Sequence, residues 1–371
     1  MSVKPHSEAR EWIASALSGQ AGLVFPDVLS SQSVLAQSEE EGVTALLYHV
    51  LQQAGRLDSL PQVLLASMQK INRKHIAADI ATQSELSHLM SILYRHDLDF
   101  IMLKGEALSH SIYPQAHLRT KLDIDLMFAS KDESERAWKV LQSENFERML
   151  SQKGTFVGYQ FVCHKEYSAS FRIVFDIHNE ITNYLWFNRR LGYQTLLENS
   201  CFIQIEQTNV RVLNTLHALI HACVHRITNI SKGTADRLIW LYDIHLLSQR
   251  LSDSEWRALV TVCSDKDLSA IVLQGLQSSQ QHLASSLRPS HINRLSANAH
   301  NERDPFTKKS RRIQMYWQDF MLNKGFANKL TQLRERVFPP ADYMLKRYRL
   351  DSSRWLAFYY LKRIIAVIIR R

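Results

Sequence analysis

Two aspartates, Asp123 and Asp125, stand one residue apart inside the apolar run LDIDLMF (122–128), and that pairing limits what this part of the chain can be. In an extended segment residues i and i+2 point to the same face. The two carboxylates therefore project together, roughly 7 Å apart along the strand, while Leu122, Ile124 and Leu126 project to the other side. Two like charges at that spacing raise one another's pKa unless a cation lies between them. Hard oxygen ligands suit Mg²⁺, and one or two such ions carrying an incoming nucleoside triphosphate are the partner that fits the pair best.

The surroundings read as a frame of short strands and helices. FIML (100–103) is a brief apolar run ended by Lys104-Gly105, and EALSHSIY (106–113) reads as a helix stopped by Pro114. A helix start after the first strand offers free N–H groups and a positive dipole end, both suited to phosphate. KLDIDLMF is then the second strand and KDESERAWKVLQSENF (131–146) an amphipathic helix. Further strands are expected at FERML (146–150), GYQFVCHK (158–165) and SFRIVFDIHNEI (170–181), the last with Asp176 and His178 on one face.

Helices are expected on both sides of this frame. Residues 1–97 read as helical, and Val63, Leu64, Met68, Ile71, Ile76, Ile80, Leu86, Leu89 and Leu93 recur at mixed three- and four-residue intervals, as one apolar stripe requires. Beyond residue 183 the chain returns mainly to helix, interrupted by a polar stretch at 288–310 that reads as a loop or linker. The expected class is α+β, in three consecutive parts: a helical module at 1–94, a mixed-sheet part at 95–182 and a helical region with a basic tail at 183–371.

Charge is placed unevenly along the chain. The formal net charge is +9, yet residues 301–371 hold 17 Lys and Arg against 6 Asp and Glu, so the rest of the chain is close to neutral. A basic tail raises nucleic acid as a partner, but there is no stacking motif, no Cys-His finger and no interleaving of Arg with aromatics before the tail. Nucleic acid is therefore not the expected partner. The closing WLAFYYLKRIIAVIIRR sets Lys362, Arg363, Arg370 and Arg371 beside aromatic and aliphatic residues. That pattern suits either peripheral contact with an anionic membrane surface or a buried terminal helix with snorkelling cations. Cys163, Cys201, Cys223 and Cys263 show no C-x-x-C spacing and read as reduced core thiols. With no leader-like start and no apolar run of about 18 residues, a cytoplasmic protein is expected, with membrane association through the tail as the variant.

Taken together, these residues resemble the DNA polymerase β-like nucleotidyltransferase superfamily, most closely its bacterial branch called the uncharacterised nucleotidyltransferase family. The resemblance rests on Lys104-Gly105 after the first strand, Arg119 four positions before Asp123, the D-I-D itself and the D-x-H of Asp176 and His178. It continues to His221 and His225, to WLYD (240–243), and to Phe338-Pro339-Pro340 followed by Arg347-Tyr348, covering most of residues 98–360. It implies a mixed-sheet palm in which Asp123, Asp125 and Asp176 hold metal and carry catalysis. The implied reaction is Mg²⁺-dependent transfer of a nucleoside monophosphate from an NTP, with ATP as first choice. The implied acceptor is a hydroxyl of a small molecule, a sugar-containing metabolite or a protein, and the branch's setting is surface-polysaccharide or natural-product biosynthesis.

Charge and geometry then suggest roles. Lys104 and Arg119 are the local cations for the β- and γ-phosphates, Gly105 allows close backbone approach, and Asp176 is the expected acceptor of the hydroxyl proton. Glu106 departs from the small residue that the superfamily often has after that glycine, and an acid there repels a triphosphate unless a cation intervenes. The alternative reading is accordingly a catalytically silent, antitoxin-like nucleotide- or partner-binding module on the same fold. His217, His221 and His225 line one helix face, with His221 or His225 expected to bond a helix carboxylate such as Asp243 rather than a metal.

Overall fold

The computed structural model describes residues 8–149, 154, 156, 158–168, 171–302, 304–307, 312–350 and 352–369. Four helices come first: α1 (Glu8–Leu17), α2 (Ser31–Glu41), α3 (Thr44–Gln53) and the long α4 (Gln62–Arg95). β1 (Phe100–Leu103), α5 (Lys104–Ser111), β2 (Ile124–Phe128), α6 (Lys131–Ser143), β3 (Glu147–Arg148), β4 (Gln160–Ser168) and β5 (Phe171–His178) follow. Short helices α7 (Leu185–Asn188) and α8 (Tyr193–Glu198) precede β6 (Ser200–Ile205) and β7 (Thr208–Leu213). The remainder is helical: α9 (Thr215–Ser231), α10 (Leu238–Arg250), α11 (Asp253–Asp265), α12 (Ser269–Leu283), α13 (Pro289–Asn301), α14 (Arg312–Leu322), α15 (Phe326–Val337), α16 (Ala341–Tyr348) and α17 (Leu356–Ile369). The class is mixed α+β, as the sequence leads one to expect.

These elements group into two units that interleave along the chain, where the sequence reading draws three consecutive parts. The first takes Met1–Leu89, Lys104–Leu122 and Cys201–Arg303; the second takes Met90–Leu103, Asp123–Ser200 and Asp304–Arg371.

In the second unit five strands run in the order β3-β4-β5-β2-β1. β1 and β2 are antiparallel, β2 and β5 parallel, and β5–β4 and β4–β3 antiparallel. Every residue of β1 and β2 is buried, which marks strands covered on both faces and explains their apolar composition. Phe100 and Phe128 are register partners with ring centroids 5.9 Å apart, and Tyr94 stacks on Phe100 at 5.0 Å. Burying rings of this size contributes about 1.5–3 kcal/mol each. A second aromatic group of Tyr184, Trp186, Phe187 and Phe306 packs around α7. From there Asp319 of α14 accepts the Trp186 N–H at 3.1 Å and Arg336 Nη2 of α15 at 2.8 Å, tying the basic tail to this unit.

The first unit is held by capped helices and a buried ion-pair chain. Ser30 caps α2 by accepting the Ser33 N–H, and α2 stops at Gly42, whose φ of 71° and close approach to the Arg237 guanidinium leave no room for a side chain. Arg10 donates to Glu41 at 2.7 Å and to the Asp236 carbonyl at 2.8 Å, while Glu41 also accepts the Leu238 N–H that opens α10.

Some sequence expectations change here. On α4, Leu64, Met68, Leu86, Leu89 and Leu93 are buried as the stripe requires, whereas Val63 and Ile80 are exposed. The stretch at 288–310 is not simply a loop. Pro289 takes the first helical position of α13, where its missing N–H costs nothing, and Leu295 is buried while His291 stacks on Trp256. Leu150 of the expected FERML strand and the tail residues Arg370 and Arg371 lie outside the described residues.

Candidate active site

The parallel pairing of β2 with β5 sets Asp125 opposite Asp176 in register. Adjacent strands lie about 4.8 Å apart, so this pairing gathers two carboxylates more tightly than residues i and i+2 on one strand. His178, two residues after Asp176 on β5, falls on the same face. All three side chains are buried, Asp125 at 2%, Asp176 at 6% and His178 at 1% relative exposure.

His178 Nε2 lies 2.9 Å from Asp125 Oδ1 and 3.2 Å from Asp176 Oδ2. With its proton on Nε2 the ring donates toward both carboxylates and lessens the repulsion that two buried anions would otherwise carry. The three ligand atoms all lie within 4.8 Å of one another, which makes Asp125, Asp176 and His178 the group able to hold a metal ion among the described residues. Gln160 of β4, the register partner of His178, donates from Nε2 to Asp176 Oδ2 at 3.1 Å. Asn183 in turn donates to Gln160 Oε1 at 3.2 Å, and the Ser134 hydroxyl of α6 donates to the His178 carbonyl at 3.4 Å. Among the described residues Asp176 Oδ1 is buried with no hydrogen-bond partner. A buried carboxylate oxygen left in that condition is costly, and it fits a site that takes a cation.

Asp123 is exposed and sits just before β2, outside that group of three. Leu122 beside it is also exposed, because the strand begins only at Ile124. The sequence reading sets His178 beside Asp176 without giving it a ligand role, and it does not single out Gln160. The D-x-H spacing marks the first, whereas Gln160 reaches the site through antiparallel pairing that no local pattern encodes.

Lys104, Gly105 and Arg119 belong to the first unit. Lys104 itself, and not the glycine after it, takes the left-handed conformation, with φ of 51°. Gly105 is closely packed: a Cβ there would lie 3.3 Å from Lys121 Cβ and 3.4 Å from Arg119 Nη1. Arg119 is buried and clamps Asp243, with Nε donating to Oδ1 at 2.9 Å and Nη2 to Oδ2 at 2.7 Å, while Nη1 donates to the Thr120 carbonyl. Tyr113 Oη also donates to Asp243 Oδ1 at 2.7 Å, and burial together with that carboxylate pushes the phenol pKa well up. Asp243 thus receives both Arg119 and Tyr113.

Two histidines of α9 have neighbours close to their rings. His225 packs edge-on to Trp240 at 5.3 Å, and His217 Nδ1 lies 3.1 Å from Asn214 Oδ1 at the start of α9. Burial lowers the His217 pKa to about 4.

Glu106 is buried as well, and the repulsion expected of it has a counterweight. Lys121 Nζ stands 2.9 Å from Glu106 Oε1, 2.9 Å from Ser109 Oγ and 3.0 Å from Asp79 Oδ1, and His110 Nε2 lies 2.9 Å from the same Glu106 oxygen. Burial alone would raise the Glu106 pKa, but Lys121 and His110 outweigh it and hold the carboxyl below its ordinary range.

The family described as uncharacterised nucleotidyltransferase matches residues 29–284, well over half of the chain, a range that includes Asp123, Asp125, Gln160, Asp176 and His178. No curated protein matches the chain. Among solved structures it is similar to an antigenic nucleotidyltransferase-like protein from Paracoccidioides brasiliensis, with 14% identity and a TM-score of 0.38 over 57% of this chain and 95% of that one. On the extent of the family match, this chain belongs to the uncharacterised nucleotidyltransferase family.

Proposed function

We propose that this protein is a polymerase β-like, divalent-metal-dependent nucleotidyltransferase that moves a nucleoside monophosphate from an NTP, ATP being the first candidate, to a hydroxyl acceptor. The observation that carries the reading is the register pairing of Asp125 with Asp176, beside which Asp176 Oδ1 has no hydrogen-bond partner among the described residues. Asp125 and Asp176 would hold the metal, with His178 as the third group and Asp123, exposed at the strand entrance, as an outer carboxylate. When bound, the cation would neutralise the phosphates and act as a Lewis acid. Oxygen donors favour Mg²⁺, while the imidazole nitrogen broadens the choice toward Mn²⁺.

The chain's own groups supply positioning and proton transfer. Gln160 anchors Asp176 through Oδ2, and the Asp176 carboxylate is proposed to accept the proton of the attacking hydroxyl. The acceptor oxygen bonds to the α-phosphorus, the bond to the bridging oxygen of the β-phosphate breaks, and pyrophosphate leaves. Lys104 and Gly105 are proposed as phosphate contacts on chain order, since they follow Leu103, the register partner of Asp125. Arg119 is given a structural role, because Asp243 and the Thr120 carbonyl occupy its guanidinium. The alternative of a catalytically silent module rests on Glu106, whose charge is met by Lys121 and His110.

The acceptor is proposed as a small molecule, a sugar-containing metabolite or a protein of a surface-polysaccharide or natural-product pathway. Incubation with labelled NTPs, Mg²⁺ and a cell extract tests the reading. A labelled acceptor should appear with the wild-type protein and vanish with the Asp123→Asn, Asp125→Asn double variant. Equal labelling by both proteins would refute it.

A further inference from the structure

Ten of the large hydrophobic side chains exposed among the described residues lie between Trp317 and Ile365, beyond the residue range that the family matches. They are arranged by helical period. On α15 the exposed Phe326, Leu330 and Leu333 follow i, i+4, i+7 spacing and so share one face. On α17 the exposed Phe358, Leu361 and Ile365 follow i, i+3, i+7 spacing and do the same. Trp317 and Met321 of α14, four residues apart, add a third exposed pair.

Cations are interleaved with these stripes. Lys329 and Arg334 flank the α15 face, Lys362 lies within the α17 face, and Arg354 precedes the exposed Trp355. Over residues 312–369 Lys and Arg outnumber Asp and Glu by 11 to 4. Two of the four acids are already engaged, Asp319 by Arg336 and Glu335 by the Phe156 N–H. The helices are anchored from their inner sides: Tyr360 Oη donates to the Pro339 carbonyl at 2.6 Å, and Arg363 Nη2 donates to the Arg336 carbonyl at 3.3 Å.

We infer that the outward faces of α14, α15 and α17 form a docking surface for an anionic lipid bilayer, with the aliphatic and aromatic side chains entering the head-group boundary and the lysines and arginines meeting lipid phosphates and carboxylates. Exposed apolar stripes bordered by cations are what an interfacial helix needs. α17 has 14 residues, short of the about 20 that a span requires, and among the described residues no helix is long and apolar enough to cross a membrane. A nucleic-acid backbone would satisfy the cations but not Leu330, Leu333, Leu361 and Ile365. A second copy would place like charges against like across a two-fold interface.

The test is co-sedimentation of the full chain with vesicles of phosphatidylcholine alone or with one-third phosphatidylserine. Binding is expected to the phosphatidylserine vesicles only. It should fall about tenfold or more in Leu330→Glu, Phe358→Glu and to a similar degree in Lys329→Glu, Lys362→Glu. The uncharged pair Leu330→Gln, Phe358→Gln gives a second reading of the apolar contribution should the charged pair unfold. No binding at low salt overturns the proposal, and so does binding that the apolar substitutions leave unchanged. Self-association or nucleic-acid binding that these same variants abolish, in a protein that ignores the vesicles, would assign the surface to another partner and overturn it equally. None of these results depends on nucleotidyl transfer, so the two proposals stand or fall separately.

Discussion

Lys121 Nζ and Glu106 Oε1 lie 2.9 Å apart in a buried pair, with Asp79 as a second carboxylate on the same ammonium. Lys121→Met would leave two buried acids without their cation, and should cost about 3–5 kcal/mol, read from urea unfolding at neutral pH. The sign with pH follows from the depressed Glu106 pKa. The folded state binds fewer protons there, so the pair's stabilisation is present above the ordinary carboxylate pKa and is lost as pH falls through the folded one. The difference between wild type and variant should therefore shrink in acid.

Arg119 and Asp243 are a second buried pair, joined through two guanidinium nitrogens. Arg119→Ala takes the guanidinium from the buried Asp243 carboxylate, to which Tyr113 still donates, and should also cost about 3–5 kcal/mol. If Arg119 is structural, Arg119→Lys should lower the unfolding midpoint while leaving KM for the nucleotide within about twofold. A large rise in KM at unchanged stability would return Arg119 to the phosphates.

Gly105→Ala should be destabilising by about 1–3 kcal/mol, because the added methyl meets Lys121 Cβ at 3.3 Å and Arg119 Nη1 at 3.4 Å. Thermal unfolding checks this, and a neutral result would show that the turn relaxes without cost.

His178 is expected to position the two carboxylates and assist metal binding. His178→Gln should weaken metal affinity or metal-dependent turnover by about 10–100-fold, measured as the Mg²⁺ or Mn²⁺ concentration giving half-maximal rate. An unchanged metal dependence would remove His178 from the site.

How much of this could be read beforehand follows the range of the interactions. The apolar run around Asp125 and the D-x-H of Asp176 and His178 are local patterns, and strand alternation is enough to put their side chains on shared faces. That Asp125 faces Asp176 is not local: it depends on a parallel pairing between strands separated by α6, β3 and β4. The same applies to Glu106, which looks like a misplaced acid until Lys121, 15 residues on, is seen against it. Arg119 is a reasonable phosphate ligand by position, but Asp243, 124 residues away, takes it. Asp123 projects as expected of an alternating strand only if the strand includes it, and β2 starts one residue later. The polar stretch at 288–310 reads as a loop because proline both breaks helices and opens them, and Pro289 opens one.

The most direct test of the account is pyrophosphate release by purified Asp125→Asn and Asp176→Asn variants, given NTP, Mg²⁺ and the extract fraction that contains the acceptor. Each variant should keep a folded unfolding profile and lose turnover on the order of 10²–10³-fold. Turnover at the wild-type rate in Asp176→Asn would contradict the assignment of the β2–β5 carboxylate pair as the catalytic centre.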